Sequence, residues 1–330
     1  MSSHDSEDFV SLDRTIGGAS QVPSGISADV CFIVPTCNRV DALAYCLQHL
    51  EKQNCRNFEV ILVDDGSTDS TPDFLLQYVV STPLRIRVVR QENSGPARAR
   101  NRAVAMTDSP ICIILGDDIL CSPDFCATHL QFHRDNPGLS SVGLGLTVWS
   151  ESLQVVTPFM RWMDESGAQF AYHDLLRGLR PDWRHFYTSN LSVKTQLLRE
   201  NPFNERFTQD RWMMEDMELG YRLQSRNCLR LVLVPDALAE HLHPTDFRKA
   251  CKRAYAAGLS ALVFDNLCPA RAVPAHGVLH RAVRGALCAN AWLMPTVSYL
   301  TRIMTEFWCP NPLLRPVLAW HTAVARRRGR

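Results

Sequence analysis

Apolar runs of a few residues alternate with longer stretches whose apolar positions recur every three or four residues. That alternation predicts βαβ units, and so an α/β fold built on a mainly parallel sheet flanked by helices. Residues 30–34, 60–63, 86–89, 111–115, 142–148 and 231–234 read as strands. Leu43, Cys46, Leu47 and Leu50 share one face of a helix over 40–52. Pro96 suits the first turn of another helix, which runs to about Thr107. Residues 151–182 carry aromatics and charges without a period. They read as an irregular insertion where an acceptor would sit, or as a surface loop over the sheet edge. From Asp246 the period is helical to about Phe264, and six later prolines break the remainder into short helices and turns. The expected division is a flexible leader over 1–28, a domain over 29–245 and a basic helical extension over 246–330.

Composition adds three points. With 330 residues, 46% hydrophobic and 21% charged, the chain has room for one large core with an appendage. A net charge of +1 argues against a nucleic-acid partner. That net value hides an asymmetry: from Asn266 onward there are nine arginines, no lysine and a single acid, Glu306. The segment carries about +8, which suits either a solvated tail or contact with an anionic membrane surface. Twelve cysteines form no CxxC pair or framework, and several lie inside apolar runs, as reduced cysteines of a cytoplasmic protein do. Residues 285–301 lack charges but fall short of the ~20 apolar residues of a spanning helix. The expected location is the cytoplasm, with a peripheral position on the inner face of a membrane.

The candidate chemistry lies where apolar runs end. Val60 to Val63 leads into Asp64-Asp65-Gly66-Ser67, and Val30 to Val34 into Pro35-Thr36-Cys37-Asn38-Arg39. Asn93-Ser94-Gly95-Pro96 enters a helix bearing Arg98, Arg100 and Arg102, and Leu115-Gly116 leads into Asp117-Asp118. Glu215-Asp216 opens a further helix, and Glu240-His241-Leu242-His243 follows the run over 231–234. Carboxylates at the C-terminal edge of parallel strands face the crevice where open α/β sheets bind ligands. Amides at a helix N-terminus with guanidinium groups nearby form an anion site.

In this order the motifs resemble the family 2 glycosyltransferases of GT-A fold, over roughly residues 28–245. The resemblance implies a nucleotide-diphosphate sugar donor, a UDP-sugar above others, and a glycan or lipid-linked hydroxyl acceptor. It implies that Asp65 receives the nucleobase imide, with Pro35, Thr36, Asn38 and Arg39 beside it and Asn93 and Gly95 in the phosphate loop. Of the three arginines it selects Arg100 for the diphosphate. Leu115 stands where the family's metal motif has its first acid; Asp117 and Asp118 remain. Adjacent residues at a strand end diverge, so one reaches metal and the other ribose or an intermediate water, with Asp118 favoured for metal and Asp117 for ribose. A metal-binding histidine is implied near the end of the motif set, with His241 favoured by its distance from Pro235 and His243 its competitor. Carboxylate oxygen suits Mg²⁺ or Mn²⁺, and imidazole tilts the preference toward Mn²⁺. The catalytic base is implied at Asp216, with Glu215 as its helper or as an acceptor ligand. Trp212 reads as an acceptor-stacking ring or a core aromatic. The expected reaction is inverting transfer in cell-surface polysaccharide or glycolipid synthesis. The rivals are a retaining transferase, a nucleotidyltransferase, or a catalytically silent nucleotide-sugar-binding protein.

Overall fold

A computed structural model describes residues 28–268, 291–307, 309 and 313–329. Residues 1–27 of the expected leader over 1–28, and residues 285–290 of the uncharged stretch, lie outside the described residues. In chain order the elements are β1 (Val30–Thr36), α1 (Val40–Glu51), β2 (Phe58–Asp65), α2 (Thr71–Ser81), β3 (Ile86–Gln91), α3 (Pro96–Met106), β4 (Ile111–Leu115) and β5 (Ile119–Cys121). Then come α4 (Phe125–Asp135), β6 (Ser141–Trp149), α5 (Pro158–Glu165), α6 (Tyr172–Leu176), β7 (Asn190–Lys194), α7 (Thr195–Glu200), α8 (Glu215–Ser225) and β8 (Arg230–His241). Helix α9 (Phe247–Leu267) follows, and α10 (Met294–Phe307) and α11 (Leu314–Arg328) complete the described chain.

The strands form one eight-stranded sheet in the order β3-β2-β1-β4-β7-β6-β8-β5. The pairs β1–β2, β2–β3, β1–β4 and β6–β8 are parallel, while β4–β7, β6–β7 and β5–β8 are antiparallel. Strands β5 and β7 therefore run against the other six, so the sheet is mixed but mostly parallel. Both faces are covered, and this explains the unbroken apolar runs. In β1, Val30, Phe32 and Val34 face one cluster with the buried side of α1. Cys31 and Ile33 face a second cluster, with Ala97, Ala99 and Ala103 of α3. Every described cysteine is free.

Two expectations change. Strand β8 does not stop at Val234. It breaks register after Gly145, where Val234 pairs with Gly145 and Leu238 with Leu146, then runs on to His241. Pro235 has no N–H to give to a ladder, so the chain bulges there and resumes. The insertion over 151–182 is not irregular throughout. It folds α5 behind Thr157, whose hydroxyl caps Met160 N–H, and packs Phe159 and Trp162 near Phe247 of α9.

Candidate active site

Sequential strands lead away from β1 on one side through β2 and β3, while β4 lies on the other, so strand order reverses between β1 and β4. Ligand crevices of open α/β sheets form at such a point. A cleft of about 630 Å³ opens there. It is lined by the ends of β1, β2 and β4, the N-terminus of α3, the start of α8, the end of β8 and one residue of α9.

At the switch point the two buried acids after β4 take different partners. Thr36 donates its hydroxyl to Asp117 Oδ2 at 2.7 Å. The guanidinium of Arg39 spans both acids, with Nη1 3.2 Å from Asp117 Oδ1 and Nη2 2.6 Å from Asp118 Oδ2. Burial pushes Asp117 up to about 6 against the pull of Arg39. Burial also presses on Asp118, but His241, His243 and Arg39 hold its carboxyl well below the usual carboxylate range. His241 Nε2 lies 3.0 Å and His243 Nδ1 3.2 Å from Asp118 Oδ2. The run of β8 past Pro235 makes this possible, because it pairs His241 with Ile119, next to Asp118. Trp149 stacks on the His241 ring at 5.1 Å, and His241 stacks on His243 at 5.2 Å.

One carboxylate oxygen and two imidazole nitrogens of Asp118, His241 and His243 lie within 4.8 Å of one another, which fits a divalent cation of borderline hardness. Burial lowers the pKa of His243 against the opposing charge of Asp118, and so favours the neutral imidazole that ligation requires. The same nitrogen, Nδ1, lies 2.9 Å from Arg39 Nη2. Both histidines that compete in the sequence therefore meet Asp118.

Asp65 lies at the other end of the crevice, buried. Its Oδ1 accepts from Gln91 Nε2 and the Ser94 amide, and its Oδ2 from the Gly95 amide, each at 2.8 Å. Three of about four carboxylate acceptor sites are thus used to hold the 93–95 loop. Gly95 sits at φ +90°, and a Cβ there would come 3.0 Å from Phe207 O. Left-handed backbone for a larger residue costs about 1–3 kcal/mol before that close approach is added. Pro35 and Asn93 also line the cleft. Asn38 does not. Its carboxamide Oδ1 accepts from the amides of Thr68 and Asp69, so it ties down the turn after β2.

Across the cleft, Met214 turns the chain at φ +73° into α8. A non-glycine residue there is uncommon, and the two acids that follow it diverge because successive helical residues point about 100° apart. Glu215 points inward, where Arg100 Nη1 reaches its Oε1 at 2.6 Å. Asp216 is half-buried on the cleft wall and accepts from the Met217 amide at 2.7 Å. Burial pushes Glu215 up to about 7, reinforced by Asp216 and opposed by Arg100. Burial also raises Asp216, again opposed by Arg100. Arg100 thus lines the cleft but is engaged with Glu215. Of its neighbours on α3, Arg98 is exposed, and Arg102 donates to Arg90 O. Trp212 is 40% exposed at the cleft and is not a core aromatic.

Phe170, Tyr187 and Arg253 also line the cleft, and the sequence motifs did not point to them. The aromatics lie outside the motif set, and Arg253 sits in a run with Arg248, Lys249 and Lys252 on α9, where spacing does not tell which cation faces inward.

Residues 31–172 match the family model "Glycosyl transferase family 2". Validoxylamine A glucosyltransferase of Streptomyces hygroscopicus subsp. jinggangensis is 30% identical over 234 residues, covering 63% of this chain and 53% of that protein. Glycosyltransferase GlyG of Streptococcus pneumoniae is 25% identical over 177 residues, covering 53% and 58%. The chain thus spans about half the length of the curated relatives it matches. In fold it is similar to mannosyltransferase PcManGT of Pyrobaculum calidifontis, solved with GDP-Man and Mn²⁺, with a TM-score of 0.59 at 19% identity over 92% of this chain and 88% of that one. By its family match the segment over residues 31–172 is a family 2 glycosyltransferase segment, and the mixed sheet that opens a crevice between β1 and β4 gives the chain the GT-A fold.

Proposed function

We propose that the protein moves a sugar from a nucleoside diphosphate, UDP being the expected nucleotide, to an acceptor hydroxyl with inversion at the anomeric carbon. The observation that carries this reading is one cleft that joins Asp65, the Asp118–His241–His243 set and Asp216. The complex of PcManGT with GDP-Man and Mn²⁺ supports a nucleotide-sugar donor and a divalent cation here too. In this reading the unit over 29–245 carries the chemistry and 246–330 extends it.

Asp65 shapes the base pocket through the 93–95 loop and has one acceptor position left for an imide N–H. Asp117 faces the ribose. Asp118, His241 and His243 would hold the cation, which when bound supplies positive charge to the diphosphate oxygens. Asp216 receives the proton of the acceptor hydroxyl. That oxygen bonds to the anomeric carbon as the bond from the same carbon to the diphosphate oxygen breaks, and the electron pair leaves with the diphosphate. Glu215, locked to Arg100, positions the turn that presents Asp216. Trp212 offers an exposed face for an acceptor ring. We place the reaction at the cytoplasmic face of a membrane, on a glycan or lipid-linked acceptor of a surface polysaccharide or glycolipid.

The test is release of nucleoside diphosphate from UDP-, GDP- and dTDP-sugars with Mn²⁺, water serving as acceptor where no sugar acceptor is known. Asp216→Asn should slow release by roughly 10²–10⁴-fold. Its affinity for the nucleoside diphosphate by calorimetry should equal wild type, since the base does not touch the nucleotide. A folded Asp216→Asn protein that turns over at the normal rate would remove Asp216 from the mechanism. Release of pyrophosphate from a nucleoside triphosphate and a sugar 1-phosphate, with no nucleoside diphosphate released from the sugar nucleotides, would make the protein a nucleotidyltransferase.

A further inference from the structure

The leaving diphosphate gains a negative charge as its bond to the sugar breaks, so the cleft needs cationic donors beside the Asp118 set. Arg100 is a poor candidate, because Glu215 holds it at 2.6 Å. Arg39 is bound by Asp117 and Asp118. Arg253 remains. It lines the same cleft from α9. Among the described residues it makes no hydrogen bond and no ion pair, although its guanidinium feels the charges of Asp118 and Arg39. Burial lowers its pKa from the usual arginine value, as expected for a cation withdrawn from water without a counter-charge in contact. Such a group gains most from an anionic ligand.

The fold holds Arg253 in place from three sides. The strand that delivers His241 and His243 continues through Pro244 and Thr245 into Asp246, which caps α9 by accepting from the Lys249 amide at 2.7 Å. Arg253 therefore follows the histidines after two turns of helix. On the far side of α9, Gly258 lets α11 approach so closely that a Cβ there would lie 2.3 Å from Thr322 O. The Thr322 hydroxyl donates to Ala254 O, next to Arg253, at 3.0 Å. On a third side the Met213 amide donates to Ser260 Oγ at 3.2 Å, which ties α9 to the segment that carries Trp212 and Asp216. None of α9 or α11 falls within residues 31–172, the part matched by the family model.

We infer that Arg253 is the diphosphate-binding arginine of this cleft, donating its guanidinium N–H groups to phosphate oxygens of a nucleoside diphosphate opposite Asp118. The inference rests on the transferase reading above. It assigns the basic C-terminal helices a part in the site: they aim a cation at the leaving group. As the sugar–oxygen bond breaks, the electron pair settles on the diphosphate, and Arg253 meets the new charge without any proton transfer.

Calorimetry on the full-length protein with Mn²⁺ tests this, using UDP, GDP and dTDP, each beside its own monophosphate. Wild type should bind at least one diphosphate more tightly than its monophosphate. Arg253→Ala should weaken that diphosphate by roughly 10- to 100-fold and leave the monophosphate within about twofold, as loss of a charge-assisted hydrogen bond predicts. Arg253→Lys should recover part of the loss. Equal weakening of both nucleotides, or of neither, overturns the assignment while the transferase reading stands. Failure of wild type to bind any nucleoside diphosphate removes that reading itself. If Arg253→Ala does not fold, Arg253→Gln, of similar length and without charge, gives the same comparison.

Discussion

At the mouth of the cleft two adjacent carboxyl groups share one buried guanidinium, and this sets a pH dependence. Asp216 must be ionised to accept a proton. Burial raises it, so the acid limb of the rate should lie above the ordinary carboxylate range. Glu215→Gln removes the partner of Arg100, whose charge then acts on Asp216 alone and favours its ionised form. The limb should move to lower pH, read from nucleoside diphosphate release against pH. A limb that stays in place would mean that another group controls it. Stability gives a second readout. Glu215 titrates near 7 in the fold against 4.5 unperturbed. A raised carboxyl contributes stability that is complete below about 4.5 and is lost as pH rises through about 7. The melting temperature of Glu215→Gln relative to wild type should therefore improve from pH 5 to pH 8. These acids, with Asp65, Asp117 and Asp118, were legible in the sequence because each ends an apolar strand or opens a helix. The outcome for Asn38 was not, since a residue inside a binding motif can face the neighbouring turn. The Arg100–Glu215 pair was not either, since it joins two helices 115 residues apart.

Helix α4 shows why some elements escaped the pattern. Its buried face is Phe125, Cys126, His129, Leu130, Phe132 and His133, so two histidines interrupt the apolar stripe that would mark a helix. Strand β5 is three residues long, and β7 carries Ser192 and Asn190 in its buried run. Asn190 is buried because its carboxamide accepts from or donates to His129, Leu146 O and Ala237 O, a network visible only after the sheet is closed. The strands β1, β2 and β4 were legible because both of their faces are covered. The histidines of α4 carry a prediction. Burial lowers His129 to about 4 and His133 to about 3, the latter with help from the charge of Lys194. A histidine with a depressed folded pKa stabilises above its unfolded value, near 6.5, and loses that contribution as pH falls through the folded value. Wild type should thus lose melting temperature between pH 6.5 and 4. His133→Leu, which keeps an apolar body of similar size, should lose less over the same interval. Parallel decline of the two proteins would place the acid sensitivity elsewhere.

Over the whole molecule, the charge asymmetry of the sequence becomes a question of what the C-terminal helices cover. Part of the segment packs inward: Met294, Leu314 and Val317 are buried near Phe159 of α5 and Phe247 of α9. Another part faces out. Trp292 is 77% exposed and Tyr299 57%, with Leu300 beside it and Arg302 over the Tyr299 ring at 5.7 Å. Among the described residues no helix is long and apolar enough to cross a membrane. Exposed aromatics next to arginine on a short helix suit the interface between headgroups and acyl chains. Arg302, Arg315, Arg327 and Arg328 are exposed as well. Each arginine near an anionic leaflet contributes about 1 kcal/mol, and salt screens it over about 10 Å at 0.1 M. We therefore expect the protein to sediment with vesicles containing phosphatidylglycerol and far less with pure phosphatidylcholine, the difference shrinking as salt is raised. Trp292→Ala with Tyr299→Ala should lower the binding that survives high salt, because that part comes from apolar burial. Arg327→Ala with Arg328→Ala should lower the salt-sensitive part, because those side chains are exposed and carry charge. Equal partitioning to the two lipids, or none to either, would leave the segment with one task, that of holding α9 and Arg253 against the cleft.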